Sequence, residues 1–269
     1  MTEDLTRRWE SLKLTDEEQE EVILSDEAVL SSNVKGELCL LAKIFNDRTA
    51  NREAFRSTMS KIWNTKGWLT FKELETNFFL IEFQLLSDKD KVLQGRPWSF
   101  DRHLVFMKEF EGTLSLSEVH FVSEPFWIQV HNLPFAGMNK EMEMLVGTGL
   151  GRVLEVEDDT EGYRWGSYLI IKAEMNETKP LVRGRFLKSG NKQYWLSFKY
   201  ECLPMFYFKC GRLMHEKGSC QERVIENQTQ DQYGQWLRAT HLPTKGYYVK
   251  RYGGLKEQEH RGSTWRWSQ

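Results

Sequence analysis

The sequence predicts an α+β protein: a ferredoxin-like βαββαβ unit followed by a second, smaller α/β unit. Three observations carry that expectation. Between residues 35 and 112, short apolar segments of strand period alternate with two segments of helical period. A shorter version of the same alternation occupies 125–201. The chain has 269 residues, 40% of them hydrophobic and 13% aromatic, which is enough material for a sizeable core.

The elements follow in order. Residues 1–34 hold ten acids against Arg7, Arg8 and Lys13 and read as an acidic, partly helical arm. Leu38 to Phe45 reads as a buried strand that contains Cys39 as a core thiol. Asn51 is a candidate N-cap, and Phe55, Met59, Ile62 and Trp63 recur on one helical face. Trp68–Leu74 and the alternating Phe79, Ile81, Phe83 and Leu85 give the second and third strands. Ser87 is expected to cap a short helix ending before Gly95 and Pro97, and Leu104 and Phe106 mark the fourth strand. This is the layout that RRMs share, but it lacks their aromatic, glycine-containing strand signature. Phe78, Phe79 and Phe83 are therefore read as core or partner-facing residues.

A connector then leads to the second unit. Phe126–His131 reads as a strand, and Asn139 starts a short helix that should turn Met142, Leu145 and Val146 inward. Strands are expected at Arg152–Val156, Tyr168–Ala173, Arg183–Lys188 and Gln193–Glu201, with Ser189-Gly190-Asn191 turning between the last two. Tyr194, Leu196, Phe198 and Tyr200 alternate as the buried face, leaving Lys192, Trp195 and Lys199 as outward contact candidates.

After the second unit come the chemically loaded residues. Cys210, His215 and Cys220 stand at C-x4-H-x4-C in residues 202–222, the second half of a C-x2-C-x4-H-x4-C zinc knuckle. The position of the first cysteine is Tyr207, a phenol in place of a thiolate. Two readings stay open: a weak zinc site of three protein ligands and a water, or a metal-free remnant, which the lost thiolate favours. Cys202 could in principle supply the missing ligand, but its C-x7-C spacing to Cys210 fits no familiar knuckle. Residues 223–269 read as a polar, basic tail with local order around Trp236.

Phe206-Tyr207-Phe208-Lys209-Cys210-Gly211, its lead-in Phe198-Lys199-Tyr200-Glu201-Cys202-Leu203-Pro204, and Arg96-Pro97-Trp98-Ser99-Phe100 resemble plant proteins derived from LINE-type retrotransposons. That resemblance, over roughly residues 5 to 240, implies an N-terminal RRM-like domain of unknown function followed by a knuckle that grips single-stranded nucleic acid.

Charge points the same way. The net charge of −2 conceals nine cations from Lys179 to Lys217 that face only Glu201 and Glu216. Basic residues interleaved with aromatics suit a single strand, because cations neutralise phosphates while rings stack on bases. The candidate contacts are Arg183, Arg185, Lys188, Lys192, Trp195, Lys199, Phe208, Lys209 and Arg212. The expected partner is single-stranded RNA or DNA, with self-association as a further possibility and no small-molecule substrate. The competing expectation is a protein-interaction module carrying a decayed knuckle. No P-loop, nucleophile elbow or H-E-x-x-H motif occurs, so no enzyme is expected. Without a leader or a run of about 20 apolar residues, an intracellular protein off the membrane is expected.

Overall fold

The structure, a computed structural model, describes residues 15–156, 166–214 and 232–240. They build two five-stranded antiparallel sheets. The first contains β1 (Cys39–Ile44), β2 (Leu69–Glu75), β3 (Phe78–Phe83), β4 (Trp98–Phe100) and β5 (His103–Glu109), in the order β2-β3-β1-β5-β4. Its helices are α1 (Asp26–Gly36), α2 (Arg52–Trp63) and α3 (Leu86–Gln94).

Helix α2 begins where expected: the Asn51 side chain accepts the Ala54 N–H at 2.9 Å. Its buried face is Phe55, Met59 and Trp63. With Val92 of α3 these cover Leu40, Ala42, Ile44, Phe79, Ile81, Phe83, Val105 and Met107 of the sheet. Helix α3 differs from the reading at its start. Leu85 is the N-cap residue, and Ser87 lies inside the first turn. Asp88 spends its carboxylate on the preceding loop, accepting N–H groups from Lys66 and Gly67 at 2.9 and 2.8 Å. Strand β4 was not legible because three residues show no period. It joins β5 through Asp101 and Arg102, both at positive φ, as a tight two-residue hairpin requires.

The opposite face of this sheet is not open. Leu41 and Phe78 are buried under the connector residues Leu114, Leu116, Val119 and Phe121. The Phe121 ring stands edge-on to Phe78 at 5.6 Å and tilted to Phe106 at 5.9 Å. Phe78, Phe79 and Phe83 are all buried.

The second sheet contains β6 (Ser123–His131), β7 (Arg152–Val156), β8 (Tyr168–Asn176), β9 (Gly184–Ser189) and β10 (Lys192–Tyr200). Its order, β7-β8-β6-β10-β9, repeats that of the first sheet strand for strand. Helix α4 (Lys140–Gly147) corresponds to α2 and is capped by Asn139, which accepts the Met142 N–H at 2.9 Å. Val146 is buried and Met142 packs on the core, whereas Leu145 is 62% exposed. Met142 and Val146 are four apart on one face; Leu145 lies about 100° round from Val146. The counterpart of α3 is missing: the β8–β9 connection, 177–183, is irregular.

The units are joined by polar contacts at the start of β6. Glu124 is fully buried, accepts the Met107 N–H at 3.4 Å and lies 3.8 Å from the Arg96 guanidinium. Burial dominates over Arg96 and pushes its carboxyl up to about 8. Burial, reinforced by Glu124, also raises the carboxyl of Glu177. The Lys172 ammonium donates to the Gln94 carbonyl at 2.8 Å.

Candidate nucleic-acid interface

The knuckle segment enters the second core. Leu203, Phe206 and Leu213 are buried in one cluster with Phe126, Phe198 and Tyr200 from the sheet, Val146 of α4 and Leu181 of the β8–β9 connection. Its turn is held by backbone: the Gly211 N–H donates to the Tyr207 carbonyl at 2.7 Å and the Tyr207 N–H to Arg212 at 3.0 Å. The turn docks on the connection that replaces a helix. The Leu181 N–H donates to Gly211 at 2.8 Å and the Met214 N–H to Glu177 at 3.3 Å. Gly211 is required twice over, by φ +70° and because a side chain there would strike the Tyr233 ring.

The donor set does not fit a structural zinc. Cys210 is fully buried, whereas Tyr207, at the first ligand position, is 47% exposed and brings no thiolate. Among the described residues no three His, Cys, Asp or Glu side chains gather to hold a metal. His215 and Cys220 lie outside the described residues. Cys202 is exposed at the bend that follows β10.

Eight of the nine candidate contacts divide among three places, and the ninth, Arg183, lies just before β9. Strand register puts Phe186, Lys188, Trp195, Ser197 and Lys199 on the outer face of β9 and β10. Arg185 is on the inner face, its guanidinium over Gly149. Lys192, expected beside Trp195, has the opposite parity: the two are three apart, so a period of two sends them to different faces. Phe208, Lys209 and Arg212 ride on the knuckle. Phe208 packs 4.9 Å from Phe206 against the core rather than standing free, and the buried Nε of Arg212 has no hydrogen-bond partner among the described residues. The basic run is thus not one continuous surface.

One part of it does converge. Arg183, Trp195, Ser197 and Lys199 line a groove of ≈ 410 Å³ with Gln232 and Trp236. The Arg183 guanidinium donates to the Gln232 carbonyl at 3.3 Å and lies 5.3 Å from the Tyr233 ring. Phe186 extends the aromatic wall, 4.8 Å from Trp195. Beside the groove, Gln129 donates to Glu201 at 2.8 Å and the His131 ring lies 5.0 Å from Tyr168. Burial first and Lys199 second lower the pKa of His131, which favours the neutral imidazole. For Trp236 the sequence implies local order and, in Tyr233-Gly234-Gln235-Trp236-Leu237-Arg238-Ala239, a further match to the resemblance, but no place in a groove. Its role depends on a return of the chain to Tyr200, which no spacing rule reveals.

Comparison with known proteins gives two family matches. Residues 32–118 match the family described as "Domain of unknown function (DUF4283)", and residues 175–222 match "Zinc knuckle". No curated protein matches. Among solved structures, that of the C. elegans NONO-1 homodimer is 14% identical, with 81% of this chain and 79% of that chain covered at a TM-score of 0.25, a likeness too low to carry an argument. Neither matched family is described as an enzyme. No described helix is long and apolar enough to cross a membrane. The chain carries a DUF4283-family domain followed by a degenerate, zinc-knuckle-like domain, an architecture associated with nucleic acid.

Proposed function

We propose that this protein is a non-catalytic interaction module whose knuckle has become a metal-free packing element. The observation that carries the proposal is the docking of the 203–214 segment into the second core, with Tyr207 turned out where a thiolate would be needed. The first unit is RRM-like in this reading. Its support is the strand order β2-β3-β1-β5, flanked on one face by α2 and α3, with β4 as an added edge. An origin in a plant LINE-type element remains the reading of the motifs quoted above.

The ligand class we propose is single-stranded RNA or DNA. The knuckle-family match favours it, as does the meeting of Arg183, Trp195 and Lys199 at one groove. A protein partner is the second reading. Val22, Ile23, Leu24, Leu30 and Val34 favour it as an exposed apolar set on and before α1.

Metal content tests the proposal. The purified protein is expected to carry well under one zinc per chain, and Tyr207→Cys to raise that figure. One tightly held zinc in the parent protein would overturn the metal-free reading.

A further inference from the structure

We infer that the groove between Trp195 and Trp236 is a slot for one unpaired nucleobase, and that the knuckle turn serves it as a brace. This rests on the nucleic-acid reading above and locates it. Both indoles remain accessible, Trp195 at 42% and Trp236 at 56%. They line the same groove, and its two charged lining residues are the cations Arg183 and Lys199. A flat π-system between indoles, with its anionic linkage beside a guanidinium and an ammonium, is what this lining complements. An apolar peptide side chain would bring neither cation an anion. A free anion would leave both rings unused.

The Trp236 wall is not a loose tail. The Ala239 N–H donates to the Tyr200 carbonyl at 2.9 Å, and Tyr200 and Arg238 form a parallel bridge. The Arg238 guanidinium donates to the carbonyls of Leu203 and Pro204, at the head of the knuckle segment, and lies 5.7 Å from the Phe206 ring. Leu237 is fully buried in the same core as Phe206 and Leu213. Gly211, at the knuckle turn, leaves room for Tyr233, whose ring supports Arg183. The knuckle thus shares with Tyr200 of β10 the work of holding Trp236 at the groove. A motif that elsewhere reads bases here positions the residue that stacks on them.

The test uses the full-length protein and an eight-nucleotide oligo(dT) or oligo(U), with affinity measured across a salt series. Trp236→Ala and Trp195→Ala are each expected to weaken binding about tenfold and leave the salt slope unchanged, because a stack carries no counterions. Lys199→Ala is expected to weaken binding and reduce the slope by about 1. Trp236→Phe should restore most of the affinity. If the wild type binds and neither tryptophan variant changes its affinity, the slot is wrong while the nucleic-acid reading survives. If the wild type binds neither oligonucleotide, both fail. A self-association that Trp236→Ala abolishes, without any effect on oligonucleotide affinity, would also overturn the slot by assigning the groove to a second copy.

Discussion

The two units share a strand order and differ in what covers their sheets. In the first, two helices cover one face and the connector covers part of the other, so Leu41 and Phe78 are sealed. In the second, a single helix leaves part of the inner face to be filled by the knuckle segment and Leu237. The outer face at β9 and β10 stays accessible, with Phe186 66% and Trp195 42% exposed. The same framework thus makes one closed unit and one with an accessible outer edge. Which face stays open follows the covering segments rather than the topology.

The comparison breaks most readily at the knuckle. If the segment does the work of a helix, Phe206→Ala should destabilise the protein by about 3–5 kcal/mol in denaturant unfolding, the usual cost of emptying an aromatic core site. Trp236→Ala, on the exposed wall, should stay within about 0.5 kcal/mol. A near-zero cost for Phe206→Ala would mean that the knuckle is an appendage and that the second sheet is closed without it.

A smaller effect sharpens the boundary between the units. Because Glu124 has its carboxyl raised to about 8 in the fold, the native state binds more protons than the unfolded chain between roughly pH 4.5 and 8. Its contribution to stability is therefore greatest below that window and is lost as pH rises through it. Glu124→Gln keeps an acceptor for the Met107 N–H and carries no charge. It should raise the melting temperature by a few degrees at pH 8 and change it little at pH 5. An equal shift at both values would mean that Glu124 is already ionised in the fold.

Much of the fold was legible because it rests on local pattern. Asn51 and Asn139 announce their helices by capping chemistry, and the alternation of Leu196, Phe198 and Tyr200 gives the buried face of β10 directly. What escaped has physical reasons. Strand β4 is too short to show a period. Ser87 resembles a cap, but Asp88 one residue later is tied to a loop 21 and 22 residues away. The candidate site was legible in residue type more than in place. Arg183, Trp195 and Lys199 converge, while Arg185 and Lys192 share their chemistry and differ in parity. Trp236 joins the groove through tertiary contacts of its neighbours Leu237, Arg238 and Ala239 with the knuckle and with Tyr200.

The central claim is that packing, not metal, holds the 203–214 segment in the second core. Denaturant unfolding with and without a strong zinc chelator tests it most directly. The account predicts superimposable curves with the same midpoint. A midpoint that falls on chelation and returns when zinc is restored would contradict it.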